Sequence, residues 1–90
     1  SWRDYARRDE TRRSHLADLS RRFGHLVFSR ADFHALVAFA MPIAQTVTQS
    51  SRLAGIVIDE MRRRRLLLPP VTVIEAIVRR ARQQAGDLVH

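Results

Sequence analysis

Phe33, Leu36, Val37, Ala40, Ile43, Ala44 and Val47 recur at spacings of three and four, and Phe39 and Met41 widen the stripe they make. Such spacing gathers side chains onto one side of a helix. Here the apolar arc runs nearly all the way round, so the helix has no face to give to water. It has to be the central element, and the rest of the chain has to cover it. Ser29 precedes it as an N-cap, with Asp32 three residues on in the place where a capping box usually has Glu or Gln. The helix is therefore expected from about Arg30 to Val47, with Phe33, Leu36, Val37, Ala40 and Ile43 buried. Pro42 removes a backbone donor, so a kink is expected near residues 38–42.

Three further helices are expected around it. The first runs from about Asp4 to Phe23, marked by Trp2, Tyr5, Leu16, Leu19 and Phe23 and stopped by Gly24. Its polar stretch places acids ahead of bases as Asp4–Arg8, Asp9–Arg13 and Asp18–Arg22, the favourable order. The third starts at a cap on Ser50 or Ser51, runs to about Arg65 and turns Leu53, Ile56, Val57 and Met61 inward. Gly55 inside it suggests a close helix contact, since glycine costs about 1 kcal/mol there relative to Ala. Leu66-Leu67-Leu68 leads out and Pro69-Pro70 breaks the chain. The fourth begins near Pro70–Thr72 with Ile74, Ile77, Val78, Ala81, Ala85 and Leu88 as its stripe. No segment alternates long enough for a strand. The fold class is all-α, a compact four-helix domain in which the third and fourth helices resemble a helix-turn-helix in outline, without the usual glycine in the turn.

Ninety residues make one small domain or a piece of a larger protein. The start lacks Met and leads into a charged helix rather than an apolar signal core, which suggests a fragment. The longest apolar run, Ala35 to Ala44, has 10 residues, against about 20 for a membrane span. No membrane partner is expected. Cysteine is absent. The four histidines, 15, 25, 34 and 90, are not spaced as metal ligands. No Ser–His–acid set, paired carboxylates or glycine-rich phosphate loop can be assembled, so neither catalytic residues nor a cofactor are expected.

Charge is where the sequence speaks to function. All 16 basic residues are Arg, and the net charge is +7. Residues 1–30 hold eight Arg and four acids, residues 31–61 one Arg and three acids, and residues 62–90 seven Arg and two acids. Two basic blocks around an apolar middle suggest a polyanion, and nucleic acid is the commonest. Arg62-Arg63-Arg64-Arg65 is the sharpest signal. Its side chains can offset the helix dipole, pack their stems over the core edge, or grip phosphate with the planar guanidinium fork. Arg12 and Arg13 lie in a weaker stretch, which reads either as ion pairs in water or as phosphate contacts. Thr72, Glu75, Arg79, Arg80 and Arg82 share the polar side of the last helix, which reads either as a face that enters a groove or as a wet one. Trp2 and Tyr5 are read as closing the bundle, with base stacking as the alternative.

The string Tyr5-Ala6-Arg7-Arg8-Asp9-Glu10-Thr11-Arg12-Arg13-Ser14-His15-Leu16, then Gly24 and Phe28, then Arg62-Arg63-Arg64-Arg65-Leu66-Leu67-Leu68-Pro69 and Ile74-Glu75, resembles the N-terminal region of transposases of the Tn-three family. The resemblance covers nearly the whole chain in order. It departs at Leu26-Val27, where the family often has an Arg-Pro pair. It implies a helical part that binds the terminal inverted repeats of the transposon, in a cytoplasmic, nucleoid-associated bacterial protein. The catalytic part lies far downstream, so this chain is expected to be inert alone. Arg12, Arg13, Arg62, Arg63, Arg64, Arg65, Thr72, Arg79 and Arg80 are the expected DNA contacts. The expected partners are transposon-end duplex, the remainder of the transposase and a second copy in a homodimer. The rival reading is a protein-interaction module that pairs transposase subunits or docks on downstream domains. Large apolar side chains exposed at Trp2, Leu66 and Leu67 would favour it.

Overall fold

The structure, a computed structural model, describes residues 2–22 and 28–89, apart from the side chains of Arg7, Glu10, Leu16, Leu19, Ser20, Arg22, Leu88 and Val89. Among the described residues the chain forms five helices and no strand: α1 (Trp2–Arg7), α2 (Asp9–Arg22), α3 (Arg30–Ala44), α4 (Ser50–Arg63) and α5 (Val71–Val89). The all-helical expectation is met, but with five helices rather than four. The expected first helix breaks at Arg8, whose N–H bonds the Tyr5 carbonyl three residues back at 3.1 Å. The stop at Gly24 and the stripe positions Leu16, Leu19, Phe23 and Leu88 lie outside the described residues or side chains.

Capping sets the start of α3. The Ser29 hydroxyl accepts from the Asp32 N–H at 3.1 Å, and the Asp32 carboxylate accepts from the Ser29 N–H at 3.0 Å. Asp thus closes the box that Glu usually closes. The helix runs without a break through Pro42 and ends at Ala44, earlier than the stripe suggested. Beyond Pro42 the bonding tightens, with the Thr46 N–H reaching the Ile43 carbonyl at 3.1 Å. Leu36, Val37 and Ala40 are buried, whereas Phe33 and Ile43 are only partly so. Among the described residues, Ala31, His34, Ala35, Ala38 and Pro42 are exposed along the helix, so α3 does give one face to water and is covered on one side only, by α4 and α5.

The core is built where α3 lies against α5 and, more lightly, against α4. Leu53, Val57 and Met61 of α4 join Ile74, Ile77, Val78 and Ala81 of α5 in one buried cluster with the α3 residues. Ile56 is half-buried, not inward. A Cβ on Gly55 would meet nothing within 4 Å, so the glycine serves no close helix contact. The cap of α4 is Gln49, without a side-chain bond, rather than Ser50 or Ser51. Tyr5, 1% exposed, is the α1 contribution to the core. Its hydroxyl donates to the Pro69 carbonyl in the α4–α5 connection. Asp9, 4% exposed, accepts from the Val71 N–H at 2.8 Å and so caps α5 from a distant part of the chain.

Candidate nucleic-acid interface

The four-arginine run divides its work. Glu60, buried one turn earlier, accepts from Arg63 Nε and Nη2 at 2.9 and 2.6 Å and from Arg64 Nε at 2.7 Å. These hydrogen bonds hold the Glu60 carboxyl down at about 2, and the two positive charges add to the effect. Arg64 also lies over the Phe39 ring, 5.6 Å from its centre. Arg62 is 3.8 Å from Asp59. Arg65 has left the helix: its φ is +60°, the left-handed conformation that ends many helices. The Leu66 N–H bonds the Met61 carbonyl at 2.9 Å and the Arg65 N–H the Arg62 carbonyl at 3.0 Å, which together make a Schellman motif. α4 therefore stops at Arg63, two residues before the expected end.

Arg12 and Arg13 sit beside the α1–α2 break. The Arg12 guanidinium stacks over Tyr5, 5.2 Å from the ring centre, with its Nε buried and unbonded. Arg13 pairs with Asp9 at 2.6 Å. Burial pushes the Tyr5 hydroxyl up to about 12, with the Asp9 charge adding to the shift. Of the other expected pairs, Arg8 donates to the Asp4 backbone carbonyl at 3.2 Å, and Asp18 pairs with Arg21 at 3.1 Å. The side chain of Arg22 lies outside the described set.

Thr72, Arg79 and Arg80 stand exposed on α5, across the helix from the buried Ile74, Ile77 and Ala81. Neither Arg79 nor Arg80 has a carboxylate within ion-pair distance among the described residues. Gln83 shares this outer face. Arg80 lines a shallow cleft with Arg30, Ser29 and His34, which carries the basic surface toward the start of α3. On the other flank Arg82 donates to the Thr48 carbonyl at 2.6 Å and to the Ser50 hydroxyl at 3.3 Å. Arg30 and Glu60 were missed as site residues by the sequence reading, which placed Arg82 only on the polar side of the last helix. Glu60 was legible, because an acid three and four residues before two arginines lies on their side of the helix. Arg30 is brought to α5's flank only by packing, and so are the partners Thr48 and Ser50 of Arg82, itself an α5 residue.

The expected contacts thus fall into three sets on different elements. Arg12 and Arg13 belong to the α1–α2 corner, Arg62 to Arg65 to the end of α4, and Thr72, Arg79 and Arg80 to the outside of α5. Trp2, Leu66 and Leu67 are each half-buried, so no large apolar side chain stands free at those three positions. Among the described residues no group of three or more His, Asp or Glu could hold a metal ion, and no helix is long and apolar enough to cross a membrane.

Residues 1–81 match the family described as "Domain of unknown function (DUF4158)". The chain is 36% identical over 90 residues to the transposase for transposon Tn501 of Pseudomonas aeruginosa, a match over 100% of this chain and 9% of that protein. It is 31% identical over 75 residues to the transposase for transposon Tn21 of Escherichia coli, covering 83% of this chain and 8% of the relative. The Escherichia coli transposase for transposon Tn3926 is likewise 31% identical over 75 residues. The chain thus spans less than a tenth of the length of these relatives. No solved structure matches it. The chain belongs to the DUF4158 family and to the N-terminal region of the Tn-three family transposases.

Proposed function

We propose that this chain binds the duplex of transposon ends on behalf of a transposase, and that the outer face of α5 is the surface applied to the DNA. The observation that carries the reading is the pair of exposed cations on that face, Arg79 and Arg80 beside Thr72, which have no acidic partner among the described residues. Arginine forks suit phosphate oxygens, and such contacts fix register and orientation. Thr72 and Gln83, between them on the same face, have the chemistry to read base edges in a major groove. Arg30 extends the basic surface beside Arg80, and Arg65 is a further exposed cation at the end of α4. Arg63 and Arg64 are secondary contacts, because Glu60 already takes three of their donors.

In this reading α4 and α5 work as a helix-turn-helix pair does, with α5 as the groove helix. The connection, residues 64–70, is longer than the three or four residues of the usual motif. Strand cleavage and joining belong to the rest of the larger protein. In this reading the remainder of the transposase is the partner that brings two ends together. The half-burial of Trp2, Leu66 and Leu67 gives less support to a module that works only by protein contact.

The test is an anisotropy titration of transposon-end and scrambled duplexes at several salt concentrations. With four phosphate contacts, log K should fall by roughly 3 to 4 for each tenfold rise in salt. The end duplex should bind more tightly than the scrambled one. Absence of binding at low salt, or affinity indifferent to salt, rules the reading out for the isolated chain.

A further inference from the structure

The flank of α5 opposite Arg80 forms a second cleft, of about 350 Å³, between the start of α1, the first turn of α4 and α5 itself. Trp2 makes one wall and Val78 part of the floor, while Ser51, Glu75, Arg79 and Arg82 stand around it. None of the hydrogen bonds that join α1 and α2 to the α4–α5 connection involves these residues. We propose that this cleft seats one phosphate of the DNA backbone, with the attached sugar against Trp2. The proposal rests on the reading of α5 as the DNA-facing helix and adds a specific seat on its flank.

Arg82 is the reason for choosing this place. Its two bonds to Thr48 and Ser50 hold the guanidinium still. An arginine carries five N–H donors, so three remain to be offered. A cation already fixed loses less side-chain freedom on binding than one waving in water. Arg79, exposed and without a carboxylate partner, lies one turn earlier on the same side of α5. The exposed Ser51 hydroxyl adds a neutral donor across the cleft. The start of α4 adds to the local positive potential, since it has no acid in its first turn.

Glu75 opposes an anion in the same cleft and weakens the hold on any anion that binds there alone. Free phosphate has only this seat to hold it. A phosphodiester carries one charge, and the duplex that delivers it makes its other contacts elsewhere on α5. The seat therefore suits backbone phosphate and disfavours the free ion.

The test uses the 90-residue chain with duplex DNA, following anisotropy across salt and the emission of its single tryptophan, Trp2. Duplex should change the Trp2 emission, and inorganic phosphate at millimolar concentration should not. Arg82→Gln and Ser51→Ala should both weaken binding, the first with a loss of about one from the salt slope. Ser51→Ala guards against misfolding of the arginine variant, because Ser51 holds no part of the fold by a side-chain bond. Glu75→Gln should tighten binding by about three-fold, the effect of one unit charge at contact range in a largely aqueous setting. Asp87→Asn makes the same change in net charge roughly 18 Å further along the helix, beyond the reach of screened charge. It should do little. If Glu75→Gln and Asp87→Asn act alike, and Arg82→Gln keeps the full slope while Arg80→Gln lowers it, the cleft is empty and DNA lies on the rest of α5. Competition by inorganic phosphate as strong as by duplex also overturns the proposal. If the unsubstituted chain binds no duplex at all, the reading of α5 fails and the seat fails with it.

Discussion

At the scale of single residues, two side chains at the end of α4 act on stability in opposite directions, Arg65 at a cost and Glu60 as a gain. Arg65 occupies the left-handed region at φ +60°. A side chain there crowds its own backbone by about 1–2 kcal/mol, a penalty glycine does not incur. Arg65→Gly should therefore raise stability by about 1 kcal/mol, seen as a higher denaturant midpoint at unchanged slope. No gain would mean that the arginine side chain returns what the backbone loses. Glu60 makes a prediction about acid. Its folded carboxyl titrates at about 2, against an ordinary value of 4.5, chiefly because Arg63 and Arg64 donate to it. A lowered pKa means stability that is present above about pH 4.5 and drains away as the pH falls toward 2. Glu60→Gln should flatten that acid limb in melting curves from pH 6 to 2.

At the scale of elements, the break at Arg8 explains why the chain begins with two helices. Tyr5 and Asp9 reach the α4–α5 connection at Pro69 and Val71, more than sixty residues away in sequence. Together they fix where α5 starts, and so how its outer face is presented. Little of this could be read in the chain. A spacing of four between Tyr5 and Asp9 is equally at home in an unbroken helix, and nothing local names a partner at Val71. The α3 stripe and its Ser29–Asp32 cap were legible, because local spacing and local hydrogen bonding determine both. The stops of α3 and α4 were legible only to within two or three residues: the hydrogen bonds tighten at Thr46 and turn left-handed at Arg65. The candidate site was legible in composition and on α5, and the pairing of Glu60 with Arg63 and Arg64 in their spacing, but the burial of Glu60 depends on packing. The Tyr5 latch should fail in alkali. Its hydroxyl is pushed from 10 up to about 12, mostly by burial. The associated stability is full below about pH 10 and is lost as the pH rises through 12. Tyr5→Phe should remove that limb and cost about 1–3 kcal/mol at neutral pH, since the Pro69 carbonyl loses its partner. Thermal melts between pH 8 and 12 would show both effects.

At the scale of the whole molecule, +7 is a sum over charges with different occupations. Among the described residues, Arg13 and Arg21 of α2 are answered by Asp9 and Asp18, and Arg62, Arg63 and Arg64 at the end of α4 by Asp59 and Glu60. Those of α5's outer face are not. The molecule extends 45 Å along its longest axis, enough to follow roughly 13 base pairs at 3.4 Å each. Two double variants with the same loss of charge separate the occupations. Arg79→Gln with Arg80→Gln should leave the melting temperature nearly unchanged. Affinity for every duplex should drop, and the salt slope should fall by about two, one for each phosphate contact removed. Arg63→Gln with Arg64→Gln should do the reverse. It strips the partners from a buried carboxylate, so the domain should melt earlier and Glu60 should take up a proton at higher pH. Its salt slope should change by less than that of the α5 pair. If the Arg63–Arg64 variant folds normally and loses the larger slope, the phosphates lie along the end of α4. The groove helix would then have to be sought on that side of the domain, with Glu60 serving to aim the two guanidinium groups at the backbone.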